Sequence, residues 1–83
     1  MKNNIDNIII KAIEKVTRNY NVLELNEDDT LEAFGIKSIL LFSFITELES
    51  SLNIEFNPID ISPLNFESIS AVRLLIKKYV TSI

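Results

Sequence analysis

Cysteine and histidine are both absent from the 83 residues. The first absence excludes disulfides, thiolate metal sites and a cysteine nucleophile. The second removes the commonest zinc ligand and the usual general base near neutral pH. Glycine occurs once and proline twice, too few turn residues for a multi-stranded β domain. No apolar run approaches the roughly 18 residues that span a bilayer, so no membrane partner is expected. After Met1-Lys2 come Asn3, Asn4 and Asp6, with no small-residue cleavage site of a secretory signal. The expected location is therefore the cytoplasm. Positive charge is short too: 8 Lys and Arg stand against 12 Asp and Glu, a net charge of −4. Nucleic-acid binding rests on neutralising phosphates, so no nucleic acid is expected as a partner. Basic partners are favoured instead.

What is present is apolar. Such residues make up 47% of the chain, mostly Ile and Leu, which excludes disorder by composition. The length suits one domain, and a monomer is expected. Residues 4–19 read as a helix, because Ile5, Ile8, Ile9, Ala12, Ile13 and Val16 form one stripe. Asn3 or Asn4 is the expected cap, and Lys15 and Arg18 complement the dipole near its end. Ile10 falls off the stripe and is expected to be partly exposed. Residues 20–37 hold no sustained period. Val22, Leu23, Leu25, Leu31 and Phe34 are expected to pin this segment to the core, with a short helical turn around Thr30 to Ala33. Connections longer than roughly 12–15 residues are often functional.

A second helix is predicted over residues 38–52, its stripe formed by Leu41, Phe42, Ile45, Leu48 and Leu52. Phe44 and Ile39 flank that stripe, Leu40 is predicted exposed, and Glu49 lies at the stripe's edge. Asn53 interrupts it. Ile54 to Pro58 reads as extended, since a residue before proline avoids the helical region. One short helical turn fits between Ile59 and Leu64, limited by Pro63. The last helix is expected to start at Ser68, a good N-cap, with Ile69, Val72, Ile76, Tyr79 and Val80 as its stripe and Leu75 alongside. Lys77 and Lys78 lie near its end. Amphipathic helices of this kind can bury their faces only against one another. The expected fold is all-α, a small four-helix bundle with three main helices, one short helix and a long first loop.

The lone glycine stands three residues before a serine at a predicted helix start, in Gly35-Ile36-Lys37-Ser38. Two readings stay open at this point. Ser38 caps the helix, or the break presents its hydroxyl to something else. Catalysis by Ser38 lacks an activating histidine, and Lys37 beside it points away.

The pattern extends further. Gly35-Ile36-Lys37-Ser38 is followed by apolar Ile39, then by Leu48-Glu49 near the end of the helix. After these come the apolar extension Ile54-Glu55-Phe56 and then Asn65-Phe66-Glu67-Ser68-Ile69, leading into the last helix. Over about Ile5 to Val80 the chain resembles the acyl carrier protein family, including the peptidyl carrier proteins. That resemblance implies that Ser38 carries 4′-phosphopantetheine, attached through a phosphodiester by a separate phosphopantetheinyl transferase that uses coenzyme A. The thiol of that arm holds an acyl or aminoacyl group as a thioester. The implied partners are that transferase, a loading enzyme (adenylating or acyltransferase) and downstream biosynthetic enzymes. The domain itself would be a non-catalytic carrier, needing neither Cys nor His because the cofactor brings the thiol. Residues 1–83 would form one carrier domain, and Met1 with its short flanks leads us to expect a freestanding one.

Two departures bear on partners. Carriers of fatty acid synthesis have an aspartate before the modified serine, where this chain has Lys37. They also show carboxylates along the exposed side of the second helix, whereas residues 39–46 carry none. Ile36, Lys37, Ile39 and Leu40 are therefore the expected partner-docking residues, on a surface more apolar than in fatty acid synthesis. This favours a specialised polyketide or nonribosomal peptide-like pathway. A fatty acid synthesis carrier and an unmodified helical interaction module, with Ser38 only a cap, remain alternatives. Phe42, Phe44, Ile45, Leu48, Phe56 and Ile69 either line a cleft for an acyl cargo or pack as core. The acidic Glu27-Asp28-Asp29 run either steers a basic partner or is simply solvated.

Overall fold

Helices form where the apolar spacing places them. The computed structural model describes residues 4–22 and 24–80. It holds α1 (Asn4–Thr17), α2 (Ile39–Leu52) and α3 (Ile69–Tyr79), with short 3-10 turns at Glu32–Phe34, Pro58–Asp60 and Pro63–Phe66. No strand occurs among the described residues. The architecture is thus all-helical with a long first loop. The expected short helix between Ile59 and Leu64 resolves into two 3-10 turns, each started by a proline, whose fixed φ suits a first helical position. The expected caps Asn3 and Asn4, and Leu23, concern side chains outside the described residues.

The core is one apolar cluster drawn from all three helices. Ile9, Ile13, Phe44, Leu48, Ile69, Val72 and Ile76 are fully buried, each contributing about 1.5–3 kcal/mol relative to exposure. Two expectations fail here. Ile10 is buried although it lies off the α1 stripe. α1 packs against both α2 and α3, so its covered arc is wider than a single stripe. In α2 the roles of two phenylalanines are exchanged: Phe44 is fully buried and Phe42 is exposed. Taking Leu48 as the centre of the buried face, Phe44 lies about 40° from it and Phe42 about 120° away, at 100° per residue.

Polar contacts fix the connections. α1 ends at Thr17, and Arg18 turns left-handed (φ 61°) while its N–H donates to the Glu14 carbonyl at 2.7 Å. Glu49 holds the segment after α2: Oε2 accepts from the Phe56 N–H at 2.8 Å, and its carbonyl accepts from the Ile54 N–H at 3.0 Å. Arg73 of α3 donates to both carboxylate oxygens of Asp6 in α1, at 2.8 and 3.0 Å. Asp60 ties the 58–66 segment to the end of α3. Its side chain accepts from the Tyr79 hydroxyl and from Lys78 Nζ, and its carbonyl accepts from Asn65 Nδ2. The Tyr79 oxygen in turn accepts from the Asn57 N–H at 2.8 Å.

Candidate functional site

Two serines stand immediately before helices, Ser38 before α2 and Ser68 before α3. By residue type both are good N-caps, and for Ser38 the sequence leaves the second reading open. The structure separates them. Ser68 is a working cap: Oγ accepts from the Ala71 N–H at 3.1 Å. The two preceding helical amides are also occupied, Ile69 N–H by the Asp29 carbonyl at 2.9 Å and Ser70 N–H by the Glu27 carbonyl at 3.2 Å. The acidic loop, whose role was open in the sequence, therefore closes the start of α3 with its backbone.

Ser38 does none of this. It occupies the N-cap position with no side-chain cap hydrogen bond, and it is exposed. Its backbone lies at φ 55°, ψ −125°, a conformation that glycine adopts freely and other residues rarely do. The Leu40 N–H donates to the Lys37 carbonyl at 3.1 Å, so Lys37 to Leu40 make a tight turn with Ser38 at its first corner. The Ser38 and Ile39 amides have no acceptor among the described residues. A free hydroxyl thus sits beside two free N–H groups at the positive end of a helix, a ready seat for an anion.

The lone glycine explains how the chain enters this turn. Gly35 is left-handed (φ 86°), its N–H donates to the Glu32 carbonyl at 2.9 Å, and the next N–H, that of Ile36, reaches back to the Leu31 carbonyl at 3.0 Å. This paired closure ends the 3-10 turn and brings Leu31 and Ile36 together, as such motifs do. A side chain at Gly35 would meet nothing within 4 Å, so the requirement is conformational. The same closure corrects one expected docking residue: Ile36 is 2% exposed and belongs to the core.

The other expected residues lie on the surface. Lys37 is exposed, Ile39 is 79% exposed and Leu40 38%. Phe42 is 69% exposed as well, although periodicity places it in the buried stripe. The available signal was the run Ile39-Leu40-Leu41-Phe42: four apolar residues in a row span a full turn, and one core cannot cover every side. Ser38 borders a shallow groove with Thr30, Glu32, Lys37, Pro63 and Glu67. Next to it is an apolar groove of about 190 Å³ lined by Leu41, Phe42, Ile45, Ile61, Pro63 and Phe66. That is below the roughly 300–1,000 Å³ of a site for a drug-sized ligand. The other residues named for a cargo cleft, Phe44, Leu48, Phe56 and Ile69, are buried in the core. No group of described residues could hold a metal ion, and no described helix is long and apolar enough to cross a membrane.

The family model described as the phosphopantetheine attachment site matches residues 7–76, a span that contains Ser38. No curated protein sequence matches significantly. Among solved structures, the fold is similar to a chain of the crystal structure of Bradyrhizobium japonicum glycine:[carrier protein] ligase complexed with glycylated carrier protein. The TM-score is 0.74 at 16% identity, covering 88% of this chain and 99% of that one.

Proposed function

The chain belongs to the phosphopantetheine attachment family, and on that premise we propose that Ser38 bears the arm and that residues 1–83 act as one carrier domain. Members of this family hold 4′-phosphopantetheine covalently on a serine. The observation that carries the assignment is the contrast between two helix starts. Ser68 is engaged as a cap, whereas Ser38 is exposed, free of any side-chain cap bond and flanked by unpaired amides.

The residues fit a phosphodiester at that oxygen. The Ser38 and Ile39 N–H groups have no acceptor among the described residues and lie at a helix start, where an anion is favoured by about 0.3–1 kcal/mol at the surface. Lys37 adds a nearby positive charge. When bound, the group supplies the thiol that this cysteine-free chain lacks. The protein's own residues then position, expose and are recognised, and carry out no chemistry on the cargo. The partners are a phosphopantetheinyl transferase, a loading enzyme (adenylating or acyltransferase) and the enzymes that consume the thioester, in the cytoplasm.

Three features favour a specialised biosynthetic pathway over fatty acid synthesis. Residues 39–46 offer no carboxylate to a basic enzyme. Ile39 and Phe42 present apolar surface instead. The residues that could have lined an acyl cleft are mostly packed as core, which favours an aminoacyl or short acyl cargo carried outside the fold. The glycylated carrier of the structural neighbour is of that kind.

The test is direct. The chain is incubated with coenzyme A and a broad-specificity phosphopantetheinyl transferase, then weighed. A gain of one phosphopantetheine that Ser38→Ala abolishes and Ser68→Ala retains is expected. No gain with several transferases, or a gain that survives Ser38→Ala, overturns the reading.

A further inference from the structure

The surface around Ser38 is divided by charge. Residues 19–36 contain the five carboxylates Glu24, Glu27, Asp28, Asp29 and Glu32 and no Lys or Arg. Glu32 and Glu67 border the Ser38 groove on this acidic side. A separate groove lies between the end of α1 and the first half of α2, lined by Lys15, Val16, Arg18, Ile39, Phe42 and Glu47 among others. Its apolar side chains are open, Ile39 being 79% and Phe42 69% exposed. Its one carboxylate, Glu47, is engaged by Lys15 at 3.5 Å. Arg18 has no anionic partner among the described residues, and neither has Lys37 next to Ser38. The groove is therefore locally positive on a chain whose net charge is −4.

We infer that the α1–α2 groove docks an apolar segment of a partner enzyme that carries carboxylates at its rim. The inference rests on the carrier reading only in that the partner comes to Ser38. Ile39 and Phe42 supply the contact area, since exposed apolar side chains gain when covered. Arg18 supplies direction, because a guanidinium offers a carboxylate two parallel donors. A partner with a basic rim meets like charge at Arg18 and Lys37, even though the whole chain attracts it. Net charge steers approach from a distance, but the contacting charges decide the seat.

The full chain, converted to its phosphopantetheine form and isotopically labelled, is titrated with two synthetic amphipathic helical peptides. Both share one Leu and Phe face; one is rimmed by Glu and the other by Lys. Fluorescence anisotropy at low and high salt reads affinity, and backbone amide shifts read location. The Glu-rimmed peptide is expected to bind more tightly at low salt, by about 1.5- to 5-fold for each exposed ion pair formed. The preference disappears at high salt and reverses in Arg18→Glu, and Phe42→Asp weakens both peptides. Amide shifts at Val16, Ile39 and Phe42 accompany binding. A Lys-rimmed peptide that binds as well or better, shifts centred on residues 24–32, or no binding of either peptide overturns the inference. So does sedimentation showing that the chain pairs with itself and that Phe42→Asp separates the copies. The mass of the same sample reports the carrier reading independently: without modification at Ser38 that reading falls, whatever the peptides show.

Discussion

Replacing Ser38 distinguishes a cap from an attachment point by stability alone. A serine whose hydroxyl caps a helix loses about 0.5–2 kcal/mol on replacement by alanine. Ser38 makes no such bond, so Ser38→Ala is expected to change stability by no more than about 0.5 kcal/mol. Glycine behaves differently. At φ 55°, ψ −125° a non-glycine residue carries on the order of 1–3 kcal/mol of backbone strain. Alanine shares that strain and glycine relieves it, less about 0.4–1 kcal/mol for the greater freedom of the unfolded chain. Ser38→Gly should therefore stabilise the unmodified protein by about 0.5–2 kcal/mol. For a domain of 60–100 residues that corresponds to roughly 4–8 °C per kcal/mol in Tm. Thermal melts of the three unmodified proteins, followed by circular dichroism, provide the measurement. A loss above about 1 kcal/mol in Ser38→Ala would show that the hydroxyl caps α2, and a destabilised Ser38→Gly would show that the turn is unstrained.

In urea unfolding, Leu48→Ala should lose about 2–5 kcal/mol, whereas Phe42→Ala should stay within about 0.5 kcal/mol, because Leu48 is fully buried and Phe42 exposed; equal losses would reject that placement. Glu49→Ala leaves the N–H of buried Phe56 without its acceptor, which should cost about 1–3 kcal/mol and speed exchange of the Phe56 amide, a change that an inert surface glutamate would not produce. The Asp60 cluster sets a pH window. The Tyr79 hydrogen bond, then Lys78, hold the Asp60 carboxyl below its usual value, so its contribution is present above about pH 4 and lost as pH falls through the lowered value. The bond to Asp60 raises both Tyr79 and Lys78, so theirs is present below about pH 10 and lost as pH rises through the raised values. Tyr79→Phe should lower Tm across the middle of the range and flatten its fall at both ends; an unchanged profile would remove the cluster's role.

Much of the fold was legible because α1 and α3 are two-sided. Polar residues such as Asn7 and Lys11 opposite Ile9 and Ile13, and Ser70, Lys77 and Lys78 away from Val72 and Ile76, fix the phase of each stripe in spite of exposed Leu74, and Ser68 marks a helix start by a residue type that works as a cap. The first half of α2 has no such contrast. Apolar residues occupy every direction from Ile39 to Phe42, so periodicity alone could not tell Phe42 from Phe44. The cause is physical: a stripe drawn through Leu41, Phe42 and Ile45 and one that includes Phe44, Ile45 and Leu48 are equally apolar in sequence. Burial of Phe44, Ile45 and Leu48 already closes the α2 face of the core, and Ile39 and Phe42 add nothing to it. The site was legible by resemblance and not by residue chemistry. A serine at a helix start is a cap by default, and what distinguishes Ser38 is a positive φ and a hydrogen bond not made, neither of which a sequence displays. Ile36 shows the converse. It stands two residues from the exposed serine, yet the closure at Gly35 turns it inward, because a left-handed residue reverses the chain direction within one step. Nearness in sequence to a functional atom is therefore a poor guide to sharing its surface wherever a glycine at positive φ intervenes.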